Sequence, residues 1–215
     1  MPNAVAVVRV QSTAIRERIR RALLVLGAVV LVVVLGSGCG RYDSLVEADQ
    51  NAAAKWADLD AALQRRADLV PNLVAVVKGA ANHEEETLTR VVEARASATQ
   101  TKLSEEDLVD PVKVAAFQKA QGELSGALSK LLVIQEAYPD LKANQLFHDL
   151  AVELEGTENR ILRAREEYNG AARQYNAALL KIGGLVVNRV TGKSFNPRVY
   201  FTAAAGAQAV PAVSF

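Results

Sequence analysis

Between residues 147 and 182 apolar side chains return every seven positions: Phe147, Leu154, Ile161, Tyr168, Tyr175 and Ile182. A second series, Leu150, Thr157, Ala164, Ala171 and Ala178, runs between them. A strand alternates with a period of two, and no loop holds a fixed period, so only a long α-helix satisfies this spacing. Large residues on one seam and mainly small ones on the other demand close helical neighbours. Half the residues are hydrophobic but only 5% are aromatic, so those neighbours must pack through Ala, Val and Leu. The predicted class is all-α.

The rest of the chain supplies three further helices. Tyr42, Leu45, Ala52, Trp56, Leu59, Leu63 and Val70 share one stripe, interrupted by Asp49 and Arg66. Proline lacks an N–H and clashes with the preceding turn, but suits the first position of a helix. Pro71 therefore predicts that a first helix ends near Ala67, that the chain reverses over residues 68–70, and that a second helix runs from Pro71 to about Thr99. Gly79 in its middle costs on the order of 1 kcal/mol relative to Ala, a cost consistent with close packing. Residues 99–110 are polar and acidic and read as a loop. A third helix starts at Pro111 with Val114, Phe117, Leu124, Leu128, Leu131 and Tyr138 on one face and Gln121 and Gln135 in the same seam. Pro139 ends it, because the residue before proline disfavours helical geometry. The fourth helix, from about Leu141, stops at Gly183-Gly184. The expected architecture is an up-and-down four-helix bundle behind an N-terminal membrane-targeting segment. Its divisions are residues 1–38 (signal peptide or anchor), 39–182 (bundle) and 183–215 (irregular tail, with Val199, Tyr200 and Phe201 folding back on the bundle).

The N-terminal end sets the location. Arg16, Arg18, Arg20 and Arg21 precede an apolar run over residues 22–35, followed by Gly36-Ser37-Gly38-Cys39. A basic stretch, about 14 apolar residues and small residues before a cut site describe a secretory signal. A bilayer-spanning helix wants roughly 20 apolar residues. Cys39, the only cysteine, stands where a bacterial lipoprotein signal has its acylated cysteine, although Gly36 occupies the place usually held by Leu. An uncleaved signal anchor is the alternative. Both leave the N-terminus in the cytoplasm and export the domain. Residues 1–38 hold five Arg and one Glu, a net +4, which leaves −3 for the remainder of a chain whose total is +1. The exported part thus has no basic stripe for phosphates, and nucleic-acid binding is excluded.

Few residues invite chemistry. His83-Glu84 lacks the second histidine four residues on that a zinc helix needs, since position 87 is Thr. The other histidine, His148, sits beside Asp149 on a different helix. Both read as helix-face residues. Arg65, Arg66, Asp68 and Asn72 cluster at the expected turn. The free N–H groups of a helix start there would suit an anion, although capping and mutual pairing is the plainer reading. Glu153, Glu155 and Glu158 resemble paired carboxylates, but Arg160, Arg163 and Arg165 follow at helical spacing and point to a solvated salt-bridge face. Tyr168 and Tyr175 read as core. Asp49, Gln121 and Thr157 each take a place where their stripe calls for an apolar residue. Counted from the expected turns at 1.5 Å per residue, they fall at similar depth and predict one buried polar layer. The pattern contains no nucleophile motif, phosphate loop, metal site or cofactor site, and no catalytic activity is expected.

The wording Arg-Arg-Ala-Asp-Leu-Val-Pro-Asn-Leu over residues 65–73, then Val77-Lys-Gly-Ala-Ala-Asn-His-Glu84, resembles the LemA family of bacterial membrane-anchored helical proteins. Glu93-Ala-Arg95, Tyr138-Pro-Asp-Leu-Lys-Ala-Asn144, Glu153-Leu-Glu-Gly-Thr-Glu-Asn-Arg-Ile161, Ala164-Arg165, Tyr168-Asn169 and Tyr175-Asn176 extend the likeness over most of residues 42–201. The resemblance implies a four-helix, up-and-down extracytoplasmic bundle at the bacterial cell membrane and no particular reaction. Two functions follow as expectations. One is a scaffold or interaction module of the cell envelope with a protein partner. The alternative is a binding module for a small anionic ligand or peptide over residues 65–72.

Overall fold

The computed structural model describes residues 3–81, 84–181 and 195–202, with side chains described from Tyr42 onward in those ranges and, further upstream, for residues 20, 21 and 24–27. The side chains of Cys39 and of most of residues 22–35, His83, Ile182, Gly183-Gly184 and residues 203–215 lie outside the described residues. The described fold is all-α: α1 (Asn3–Ala80), α2 (Glu85–Gln100), α3 (Pro111–Val133), the single turn α4 (Pro139–Lys142) and α5 (Gln145–Leu180), with 3-10 turns at Glu105–Val109 and Ile134–Glu136.

The expected reversal at residues 68–70 is corrected. Pro71 lies inside one continuous helix, and the chain turns instead between Ala80 and Glu85. Two facts explain why. The buried seam of α1 steps through Leu59, Leu63, Arg66, Val70, Leu73 and Val77 in alternating fours and threes with no change of phase at the proline. The carbonyl that Pro71 cannot serve, that of Ala67, accepts a hydrogen bond from Arg95 Nε of α2 at 2.8 Å. An unpaired buried carbonyl is one of the two penalties of an interior proline, beside the ring's clash with it, and here a neighbouring helix removes that penalty. Gly79 is likewise reassigned: a Cβ there would meet nothing within 4 Å, and the residue lies in the last turn of α1 rather than at a close approach.

The other termini follow their sequence signals. Asp110 caps α3 by accepting from the N–H groups of Val112 (2.9 Å) and Lys113 (3.3 Å) with Pro111 at the first position. Asn144 caps α5 through the N–H of Phe147 at 3.1 Å. Glu85 and Glu86 place negative charge on the positive end of α2. The expected third helix, to Tyr138, ends five residues early at Val133, and Pro139 opens α4 rather than the long helix.

α1 and α5 form the spine, antiparallel, with Lys55 bonded to Glu167 at 2.7 Å and Arg65 paired with Glu153. α2 packs on α1, and α3 on α2, each antiparallel to its neighbour. At the distal end all of them share a core of Leu73, Val77, Leu88, Val91, Leu124, Leu128, Leu131, Phe147 and Leu154. A middle core gathers Trp56, Leu59, Phe117, Ile161, Tyr168 and Phe201. Nearest the N-terminal arm α1 and α5 join through Leu45, Ala52, Ala171, Tyr175 and Leu179, with Phe195 packed against them. α3 and α5 meet through the distal and middle cores without a close backbone approach, and a groove opens between them.

Candidate functional site

The floor of that groove is set by the α1 seam, which places Arg66 among apolar neighbours at 2% exposure. Its Nη1 donates to Ser125 Oγ at 2.5 Å and to Glu158 Oε1 at 3.0 Å. Its Nη2 donates to Gln121 Oε1 at 2.6 Å and to the Gln121 carbonyl at 3.2 Å. Gln121 Nε2 passes the connection on to the carbonyl of Ala98, in the last turn of α2, at 3.2 Å. One buried guanidinium thus links all four long helices at one level. A buried cation costs several kcal/mol in lost hydration, which a single carboxylate seldom restores without further hydrogen bonds. Here Ser125 and Gln121 supply them, yet Arg66 Nε stays buried without an acceptor among the described residues.

The groove holds about 710 Å³ and is lined by Leu59, Leu63, Phe117, Ile161, Leu162 and Phe201 on its apolar walls, with Arg66, Lys119, Glu158 and Arg165 as its charged groups. A volume of that size suits a small molecule or a few side chains of a protein.

Below the groove, residues 195–202 run extended along α5. Asn176 clamps both backbone groups of residue 198: its Nδ2 donates to the Arg198 carbonyl (2.9 Å), and its Oδ1 accepts from the Arg198 N–H (2.8 Å). One heptad earlier, Asn169 does the same for Phe201, at 2.7 and 2.8 Å. The Tyr175 hydroxyl donates to the Asn196 carbonyl and the Tyr168 hydroxyl to that of Val199. Burial pushes both phenols up to about 12. Phe201 stacks on Trp56 (centroids 5.6 Å apart, planes at 8°) and meets Tyr168 and Phe117 edge-on. The Arg198 guanidinium donates to Asp49 Oδ1 from Nη2 at 2.9 Å and lies over the Tyr175 ring. The expected folding back of Val199, Tyr200 and Phe201 is observed, with the Tyr200 hydroxyl accepting from Asn176.

The structure separates the expected ligand cluster. Arg66 points inward, whereas Arg65, Asp68 and Asn72 are exposed. Arg65 pairs with Glu153 and Asp68 accepts from Gln64. Because α1 is continuous, no helix start lies at Pro71, and the N–H groups that were to hold an anion there are already bonded within the helix. The polar layer is corrected too. Gln121 joins Arg66, and Thr157, fully buried, bonds the Glu153 carbonyl beside Glu158. Asp49, however, sits seventeen residues before Arg66 on the same helix, about 25 Å away, and pairs with Arg198. Depths counted from a turn at residues 68–70 had the wrong origin. Glu153 and Glu158 find their arginines across the interface on α1, not along α5. Glu155 is exposed, as is His148. Glu84 accepts from the Tyr138 hydroxyl at 3.0 Å, tying the start of α2 to the start of α4.

The clamps were missed by reading Tyr168 and Tyr175 as core alone. Both are core, at 0% and 2% exposure. The signal was Tyr-Asn repeated at a spacing of seven, which puts two amides on one helix face where an apolar seam has no use for them.

Comparison with known proteins adds the family. The model described as LemA family matches residues 55–215. The chain is 27% identical over 176 residues to magnetosome protein MamQ 2 of Paramagnetospirillum magneticum, covering 74% of this chain and 65% of that protein. It is 26% identical to magnetosome protein MamQ of Magnetospirillum gryphiswaldense, covering 74% and 64%. It is 30% identical over 141 residues to protein LemA of Metamycoplasma hominis, covering 65% and 60%. The chain spans a little under two thirds of the length of the curated relatives it matches. The residues 65–73 wording, the 138–144 turn and the paired Tyr-Asn clamps fall within the matched range, and the chain belongs to the LemA family.

Proposed function

We propose that this chain is a membrane-anchored, extracytoplasmic helical module of the bacterial cell envelope that binds a protein partner as a scaffold and performs no chemistry of its own. The observation that carries this reading is the groove between α3 and α5. Its apolar walls are the edge of the middle core, Leu59, Leu63, Phe117, Ile161 and Phe201, reached through the opening between α3 and α5, with exposed Leu162 on the rim. The polar groups of its floor are bonded to one another: Arg66 is held by Glu158, Ser125 and Gln121, which fixes their positions rather than freeing one of them to move a proton.

Membrane attachment is supported by the N-terminal arm and by relatives named as magnetosome proteins. Leu24, Val25 and Leu26 are exposed on that arm, an arrangement that is unfavourable in water and favourable in hydrocarbon. The arginines before it and the small residues before Cys39 support export of the domain and acylation of that cysteine.

Photo-crosslinking in intact cells tests the reading. A photoreactive residue replacing Lys119 or Leu162, on the rim, should give discrete protein adducts. The same residue replacing Val92, exposed on α2, should not. Identical adducts from all three positions, or none from the rim, would refute it.

A further inference from the structure

We infer that the occupant of the groove is an acidic, aliphatic peptide segment of the partner, lying extended along α5 past Phe201 and Thr202 at the near end of the groove; this rests on the scaffold reading above.

The charge balance of the groove selects an acidic occupant. Its lining carries three cations, Arg66, Lys119 and Arg165, against one anion, Glu158. Arg165 pairs with no carboxylate among the described residues, and Lys119 reaches Glu123 only at 3.9 Å with both side chains largely in water, a contact of little strength. Both rim cations therefore remain available to an incoming carboxylate. At the floor, Arg66 is 2% exposed and keeps Nε without an acceptor. That guanidinium is already held by Glu158, Ser125 and Gln121 and largely balanced by the one anion, so the selection falls to Lys119 and Arg165 on the rim.

The geometry selects an extended segment. Asn176 and Asn169 are seven residues apart on α5, about 10.5 Å along its axis. They clamp residues 198 and 201, three residues apart in an extended chain, about 10 Å. The two periods match, so this face of α5 is a template for extended backbone. The extended stretch runs toward the start of α5 and reaches the groove at Phe201 and Thr202, which line its near end. One further heptad along stands Leu162, in the groove wall and 44% exposed. The clamp amide is replaced there by an aliphatic surface. A peptide continuing on this line meets Leu162 and Ile161 with its apolar side chains and Lys119 and Arg165 with its carboxylates.

The test uses the full chain in mild non-ionic detergent and two blocked synthetic peptides, one alternating Glu with Val and Leu, the other with Lys in place of Glu. Trp56, the only tryptophan, stacks on Phe201 at the groove and reports occupancy by fluorescence; peptide anisotropy reports it independently. The acidic peptide should bind and the basic one should not. The double variant Lys119→Glu, Arg165→Glu should weaken the acidic peptide at least tenfold and admit the basic one, with an unchanged circular dichroism spectrum. Ser125→Ala, which loosens Arg66 without altering the rim, should leave the preference for the acidic peptide intact. A chain ended after Thr202 should bind as the full chain does. Equal binding of both peptides, or indifference to the rim reversal, overturns the inference. So does binding that appears only once residues 203–215 are removed, since the occupant is then the chain's own tail. If rim crosslinks to a protein persist while the acidic peptide fails, the inference falls and the scaffold reading stands; if the crosslinks fail, both fall.

Discussion

Replacing Arg95 by Met isolates the contact that lets α1 pass through Pro71. Met keeps much of the apolar stem and removes the donor, so Ala67, 4% exposed, is left with a carbonyl that neither Pro71 nor α2 can serve. A buried acceptor stripped of its partner costs about 1–3 kcal/mol, which in a chain of this length lowers Tm by roughly 2–4 °C per kcal/mol. Pro71→Ala gives the chain back the N–H that the helix expects at that point. In that background Arg95→Met should cost no more than about 0.5 kcal/mol, because the carbonyl is already paired along the helix. Pro71→Ala alone should stabilise, by up to about 3 kcal/mol on propensity grounds. The assay is urea unfolding of the full chain in detergent, read by Trp56 fluorescence and by circular dichroism, arranged as a double-mutant cycle. A coupling of at least about 1 kcal/mol is expected. If Arg95→Met costs the same in the wild type as in the Pro71→Ala background, the bridge does not carry the helix through the proline and the account is wrong.

Three more outcomes are expected. Asn176→Leu strips both clamps from Arg198, so residues 195–202 should leave α5, and Trp56, losing Phe201, should shift its emission to the red and expose Arg198 to trypsin; an unshifted spectrum with a protected Arg198 would show that the aromatic stack alone holds the segment. Tyr168 and Tyr175, pushed up to about 12 by burial, should resist alkaline ionisation in a titration of phenolate absorbance. The folded protein then holds protons that the unfolded chain releases near 10, so stability is full below about pH 10 and falls as pH rises toward 12; all five tyrosines titrating together near 10 while the fold persists would contradict it. Fatty-acid labelling should mark the wild type and not Cys39→Ala, whereas equal labelling of both, or of neither, favours the uncleaved anchor.

Much of this fold is legible because heptad spacing is a local property. The α5 seam, the Pro111 start with its Asp110 cap, and the buried Tyr168 and Tyr175 all follow from spacing and chemistry within a few residues. The position of the first reversal does not. Pro71 is a strong local breaker, and its effect is cancelled by Arg95, twenty-four residues downstream and on another helix. The seam itself held the correct answer, since Arg66, Val70, Leu73 and Val77 keep phase across the proline. A reversal would have reset it. The candidate site was less legible for a related reason: Arg66 in a seam signals an interior partner, but Ser125, Gln121 and Glu158 lie on two other helices, and their meeting depends on the register that the misplaced turn had shifted.

That register is itself a physical problem for this sequence. From Leu45 to Val77 the α1 seam is almost wholly Ala, Leu, Val and Trp, and an aliphatic seam discriminates poorly between neighbouring heptads. Sliding α1 by one heptad against α5, about 10 Å, would exchange leucine for leucine at several levels. It would also carry Arg66 to the level now held by Leu59 or Leu73, away from Glu158, Ser125 and Gln121, and leave an uncompensated buried charge costing several kcal/mol. Asp49 would lose Arg198 in the same step, and the Ala67 carbonyl would lose Arg95. Three polar contacts at separate heights therefore reject the slipped arrangements together, as a single buried Asn does in a coiled coil. The polar seam residues add little to the depth of the native minimum; they raise its competitors. This specificity fixes the height at which α3 and α5 part, and with it the position of the groove.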